Sequence, residues 1–155
     1  MTKVYPEELF EQIVRNVHAD VEEYREAKTA TLIGIKMSDE GVQYETINSN
    51  NDIYKLLSSN KSIKTIKLNE YNLLAVLTAG WAAPNNEDDE YNNIPPSEHP
   101  DRKRVKMTLV GNTAIQYGSV LSIDGQDEDM FDYMTARGTL QEAFTEFMEN
   151  WRSND

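Results

Sequence analysis

The sequence predicts an α+β domain in which a mostly antiparallel sheet of about five strands carries amphipathic helices from the N- and C-terminal ends of the chain. Two observations predict it. Near both ends, apolar residues recur at three- and four-residue spacing, the period of a one-sided helix. Between them, short alternating or continuously apolar runs are punctuated by Gly, Asn, Asp and Ser, the pattern of strands and turns. The order helix, hairpin, short helix, strand, long loop, hairpin, helix then favours a sheet with the terminal helices on one face.

Pro6, Glu7 and Glu8 make a good helix entry, because proline is tolerated in the first turn and acids are favoured beside the positive end of the helix dipole. Leu9, Ile13, Val17, Val21 and Tyr24, with Phe10 and Val14 alongside, extend this helix from Pro6 to about Ala27. His18 falls beside the stripe with Glu22 one turn on, the position of a boundary histidine with a structural role, a catalytic one being the alternative. Thr29 to Met37 suits a strand, Ser38 to Gly41 a tight turn, and Val42 to Ile47 the returning strand. Asn48 to Asp52 reads as a polar break with cap candidates before a short helix holding Ile53, Leu56 and Leu57. Ser62 to Leu68 alternates, but its lysines suit an edge strand or a connector.

Leu73 to Gly80 is the most apolar stretch and reads as a central strand covered on both faces. Val105 to Val110 alternates, and Gly111-Asn112 offers a two-residue turn into a strand over Thr113 to Ile123, closed by Asp124-Gly125. From Thr139, a candidate cap, Leu140, Ala143, Phe144, Phe147, Met148 and Trp151 lie on one helical face and should be core. The whole chain, 1–155, reads as a single domain with one long loop at about 81–102.

Composition narrows the function classes. Against 15 basic residues stand 27 acidic ones, and the net charge of −12 opposes binding to nucleic acid or to anionic membrane surfaces. No apolar run reaches the roughly 18 residues of a membrane helix. The first residues lack the apolar core of a signal peptide, and there is no cysteine, so a cytoplasmic protein without disulfides or thiolate chemistry is expected. The acidity itself either keeps the protein soluble or imitates nucleic acid toward a basic partner.

The segment from Gly80-Trp81 through Arg104 concentrates the candidate binding groups. Trp81 closes the central strand, where it can stack on a ligand, anchor a partner, or fold back as a lid on the sheet end. Glu87, Asp88, Asp89 and Glu90 form an acidic run without the ligand spacing of a calcium loop, suited to a solvated loop tip or a basic partner surface. Asp127 to Asp129, flanked by Asp124 and Asp132, reads the same way. Pro95, Pro96 and Pro100 restrict the backbone around His99, so the polar groups there are presented with a reduced ordering cost. In an extended entry to the next strand, Arg102 and Arg104 share a face with Lys103 opposed, and two guanidinium forks can hold a phosphate or carboxylate. His99 can donate to the same anion or act as acid or base in an enzyme; alternatively the arginines pair with the chain's own acids. No phosphate-cradling glycine loop or nucleophile elbow occurs, and with two histidines and no cysteine neither a metal site nor a cofactor is expected.

The blocks Leu77-Thr-Ala-Gly-Trp-Ala-Ala-Pro84 and Pro96-Ser-Glu-His-Pro-Asp-Arg-Lys-Arg-Val-Lys106 resemble a pattern in small bacterial and phage-encoded proteins of no assigned activity. There a strand ending in Gly-Trp-Ala-Ala-Pro precedes a proline-marked His-Pro-x-Arg-x-Arg strand entry. The resemblance implies that both blocks belong to one unit. Together with charge and loop length it leads to the expectation of an acidic interaction protein, a phage accessory or inhibitor that binds a host protein. The alternative is a binder of, or enzyme on, an anionic, phosphorylated ligand held by Trp81, His99, Arg102 and Arg104.

Overall fold

Pro6 sits at φ −56°, which suits helix entry, and Glu7 and Glu8 follow in the first turn of α1 (Glu7–Asp20). The computed structural model describes residues 4–24, 29–58, 71–82 and 94–153. After α1, Val21–Tyr24 tightens into a 3₁₀ turn, so the regular helix is shorter than its apolar period suggests. Strands β1 (Ala30–Ser38) and β2 (Gly41–Asn50) form the first hairpin, and Gly41 takes the positive φ of 132° that its turn requires. A short helix, α2 (Ile53–Leu57), is capped by the Asp52 carboxylate, which accepts from the Tyr54 and Lys55 amides. Then come β3 (Leu73–Ala82), a 3₁₀ turn at Pro96–Glu98, β4 (Lys103–Gly111), β5 (Tyr117–Ile123), β6 (Met130–Tyr133) and α3 (Thr139–Ser153).

The six strands form one antiparallel sheet in the order β2-β1-β3-β4-β5-β6. Asn48, Ser49 and Asn50 continue β2 rather than breaking it, pairing with β1 across an irregularity at Leu32/Ile33. The expected strand over Ser62 to Leu68 lies outside the described residues. Gly111 and Tyr117 are register partners, so a five-residue loop replaces the expected two-residue turn and β5 begins at Tyr117. Inside that loop the Asn112 carboxamide oxygen accepts from the Ala114 and Gln116 amides, and Ile115 adopts a left-handed φ of 64°.

Strand alternation divides the core in two. Leu32, Leu74, Val76, Leu109 and Tyr117 pack with α2 and with Phe144, Phe147, Met148 and Trp151 of α3. On the opposite face, Ile33, Ile35, Leu73, Ala75, Leu77, Val110 and Val120 pack with Phe10, Val14 and Val17 of α1. The terminal helices therefore cover opposite faces of the sheet, not one, because strands apolar on both sides must be covered on both. The buried stripe of α1 runs through Phe10, Val14 and Val17 and continues to Val21 in the 3₁₀ turn, leaving Leu9 exposed.

Gly34, in β1, lies flat against the ring of Tyr71: a Cβ there would stand 2.3 Å from the ring. Tyr71 belongs to the core packed with α2 and α3, so moving its ring disturbs that packing. Gly34→Ala should therefore lose about 1–3 kcal/mol of stability, the range for overpacking a filled core, read as a lower urea midpoint at unchanged slope.

Candidate functional site

Leu73, Ala75 and Leu77 point to the α1 face, and the alternation carries Trp81 to that side of the sheet. On β4 the same face is marked by Thr108, whose hydroxyl lies 2.7 Å from Nδ1 of His18 in α1, so Lys106 and Arg104 share it. Trp81 and Arg104 are direct register partners. The Arg102 guanidinium lies 4.9 Å from the Trp81 ring centroid and that of Arg104 lies 5.3 Å from it. Both distances fall within the range of cation–π attraction.

Trp81 is thus a paired strand residue rather than a lid, and its ring is 39% exposed. Neither arginine is bonded to a carboxylate among the described residues, and both stack on the indole. Arg102 is also anchored: its amide and its Nη1 both donate to the His99 carbonyl, at 3.2 and 3.1 Å. One arm of its five-donor fork is used in this way. What results is an aromatic plane within reach of two cations, one of them anchored by hydrogen bonds, on a chain of net charge −12.

His99 does not join that surface. It is 2% exposed, and its Nδ1 accepts the Asp101 amide proton at 2.9 Å, which places the proton of the neutral ring on Nε2. Its part is to close the turn after Pro96–Glu98 and present its carbonyl to Arg102; the expected role as an acid or base on the open surface has no geometry here. Pro95 and Pro96 set up that turn, whose amides at Glu98 and His99 donate to the Pro95 and Pro96 carbonyls. The acidic run Glu87, Asp88, Asp89 and Glu90 lies outside the described residues. Flanking the second acidic run, Asp132 is structural, accepting from the Thr135 and Ala136 amides and the Thr135 hydroxyl.

Further along the same face lies a polar cluster that sequence reasoning passed over. His18 is 7% exposed and bridges two strands: Nδ1 meets Thr108 Oγ1 and Nε2 meets Ser122 Oγ, each at 2.7 Å. The Asp129 carboxylate stands 3.9 Å from Nε2. Lys106, the register partner of Ser122, is ion-paired to Glu22. The only sequence signal was the one-turn spacing of His18 and Glu22. Thr108 and Ser122 sit where strand alternation puts apolar neighbours, and their pairing with a helix 90 and 104 residues away has no local trace.

Among the described residues no group of three or more histidine or acidic side chains is arranged to hold a metal ion, and no helix is long and apolar enough to cross a membrane. No family model, curated protein or solved structure matches the chain.

Proposed function

We propose that this chain is an acidic interaction protein whose contact surface is centred on Trp81, Arg102 and Arg104. The observation that carries the reading is the exposed indole stacked by two guanidinium groups that no described carboxylate neutralises. Tryptophan and arginine dominate binding hot spots, and both kinds of side chain are held here in place before any partner arrives, which lowers the ordering cost of association. The acidic run from Glu87 to Glu90 is proposed to contact a basic rim of the same partner. A host protein bound by a phage accessory or inhibitor protein in the cytoplasm is the form of this reading that we favour. The second reading, an anionic small molecule, draws on the same guanidinium pair and needs no acidic rim.

Both readings require anions to accumulate at Trp81 despite the negative charge of the chain. The other tryptophan, Trp151, is fully buried, so collisional quenching by ions reports on Trp81. Iodide should quench the exposed fraction of the emission more steeply than caesium at equal ionic strength, each ion normalised to its quenching of free N-acetyltryptophanamide. In Arg102→Ala/Arg104→Ala that order should reverse, because the remaining field is that of an acidic surface. Equal normalised quenching of the wild-type chain by the two ions would show that the guanidinium pair does not gather anions.

A further inference from the structure

We propose that Ser122 and His18 form a nucleophile and general-base pair that accepts an acyl group from a small ester. The pair opens on a groove of about 400 Å³ walled by α1 and by the turn between β5 and β6, with Arg15, Lys106, Asp124 and Asp129 among its lining residues. That volume is in the range of small-molecule sites. This inference rests on residues other than Trp81, Arg102 and Arg104, and stands apart from the binding role proposed for them.

A serine hydroxyl is a weak nucleophile until a base removes its proton, and the requirement is a base within hydrogen-bond reach that is oriented by a third group. All three parts are present. Ser122 Oγ lies 2.7 Å from His18 Nε2, and Thr108 Oγ1 holds Nδ1 at 2.7 Å from the other side. With Nδ1–H donated to Thr108, Nε2 presents its lone pair to the Ser122 hydroxyl. The Asp129 carboxylate, 3.9 Å from Nε2, favours the imidazolium that forms when the serine proton arrives. Lys106 stands opposite Ser122 across the β4–β5 ladder on the same face, its ammonium paired to Glu22 at the groove wall. Thr108 is fully buried, but Ser122 is only partly so, which puts the hydroxyl at the groove wall instead of in the packed core.

The chemistry closes on these groups. Ser122 Oγ attacks the ester carbonyl carbon while its proton passes to His18 Nε2. The tetrahedral oxyanion collapses, the bond from carbon to the leaving oxygen breaks, and His18 returns the proton to the departing alcohol. Water then attacks the acyl-serine, giving a proton to His18, and expulsion of Ser122 Oγ with return of that proton releases the carboxylic acid.

The full-length folded chain treated with a fluorophosphonate ester tests the pair, since attack by Ser122 on phosphorus expels fluoride and leaves a stable adduct. The expected result is a single adduct mapped to Ser122 by mass spectrometry, and acetylation of the same serine by para-nitrophenyl acetate. Ser122→Ala should take no label at this site, and His18→Gln should label at least about 100-fold more slowly, the lower range of general-base contributions. Should His18→Gln fail to fold, wild-type chain unfolded in urea provides the comparison and should lose labelling to the same degree. An unlabelled Ser122 in the folded wild-type chain overturns the proposal. So does labelling that persists at the same rate in folded His18→Gln or in the unfolded chain.

Discussion

Gln116→Leu is expected to destabilise the fold by about 2–6 kcal/mol, from two buried backbone groups left unsatisfied at about 1–3 kcal/mol each. The Gln116 side chain is 4% exposed and uses both ends of its amide. Its oxygen accepts from the Tyr5 amide at 2.8 Å and from Asn112 Nδ2 at 3.0 Å. Its nitrogen donates to the Tyr5 carbonyl at 2.7 Å and to the Tyr133 hydroxyl at 3.1 Å. One side chain therefore mimics a strand neighbour for Tyr5, tying the segment that enters α1 to the β4–β5 loop and to β6. Leucine keeps the volume and removes all four bonds, stranding a donor and an acceptor of the main chain away from water. The effect should reach Phe10, whose ring stacks on Tyr5 at 6.3 Å and meets Tyr133 edge-on at 5.7 Å. Urea unfolding of the two chains checks this; a loss below about 1 kcal/mol would mean that the Tyr5 groups find other partners.

How far the fold was legible from sequence depended on whether a signal was local. The run from Leu73 to Gly80 announced a central strand because every residue in it is apolar or small, and β3 lies inside the sheet with both faces covered. The stripe ending in Trp151 announced core for the same reason. Other features depend on partners remote in sequence. Met130–Tyr133 is four residues long and half acidic at its approaches, so its pairing with β5 outweighs a sequence that reads as loop. Asn48 to Asn50 are poor strand formers carried into β2 by their ladder with β1. Which face each helix covers was not readable, since an amphipathic period shows that a helix has an apolar side and not which side of the sheet receives it.

The candidate site divides along the same line. Strand alternation placed Arg102 and Arg104 on one face, and the structure sets both guanidinium groups over one indole. That Trp81 would be their common platform follows only from the β3–β4 register, which pairs Trp81 with Arg104. His99 was drawn to the site by its neighbours in sequence, yet a backbone amide two residues on claims its Nδ1 and the turn buries its ring. Proximity along the chain was the wrong guide there, because the bonds that close the turn claim the ring.

Trp81→Ala is expected to weaken partner binding by at least about 2 kcal/mol, about 30-fold in Kd, the scale of a hot-spot anchor. The indole is both the apolar contact and the platform that orients the two guanidinium groups, so its removal should also free Arg104 and loosen Arg102, which keeps its bond to the His99 carbonyl. Stability should barely change, because the ring is exposed and lies at the end of the sheet away from either core cluster. The direct measurement compares immobilised wild-type chain, Trp81→Ala, Arg102→Ala/Arg104→Ala, and the variant with Glu87, Asp88, Asp89 and Glu90 changed to lysine. Each is exposed to a bacterial lysate, and the Kd of the retained protein is then determined by titration. The proposed contact surface requires one partner bound by the wild-type chain and lost from all three variants. A partner held with unchanged Kd by Trp81→Ala, or none held by the wild-type chain, would contradict it.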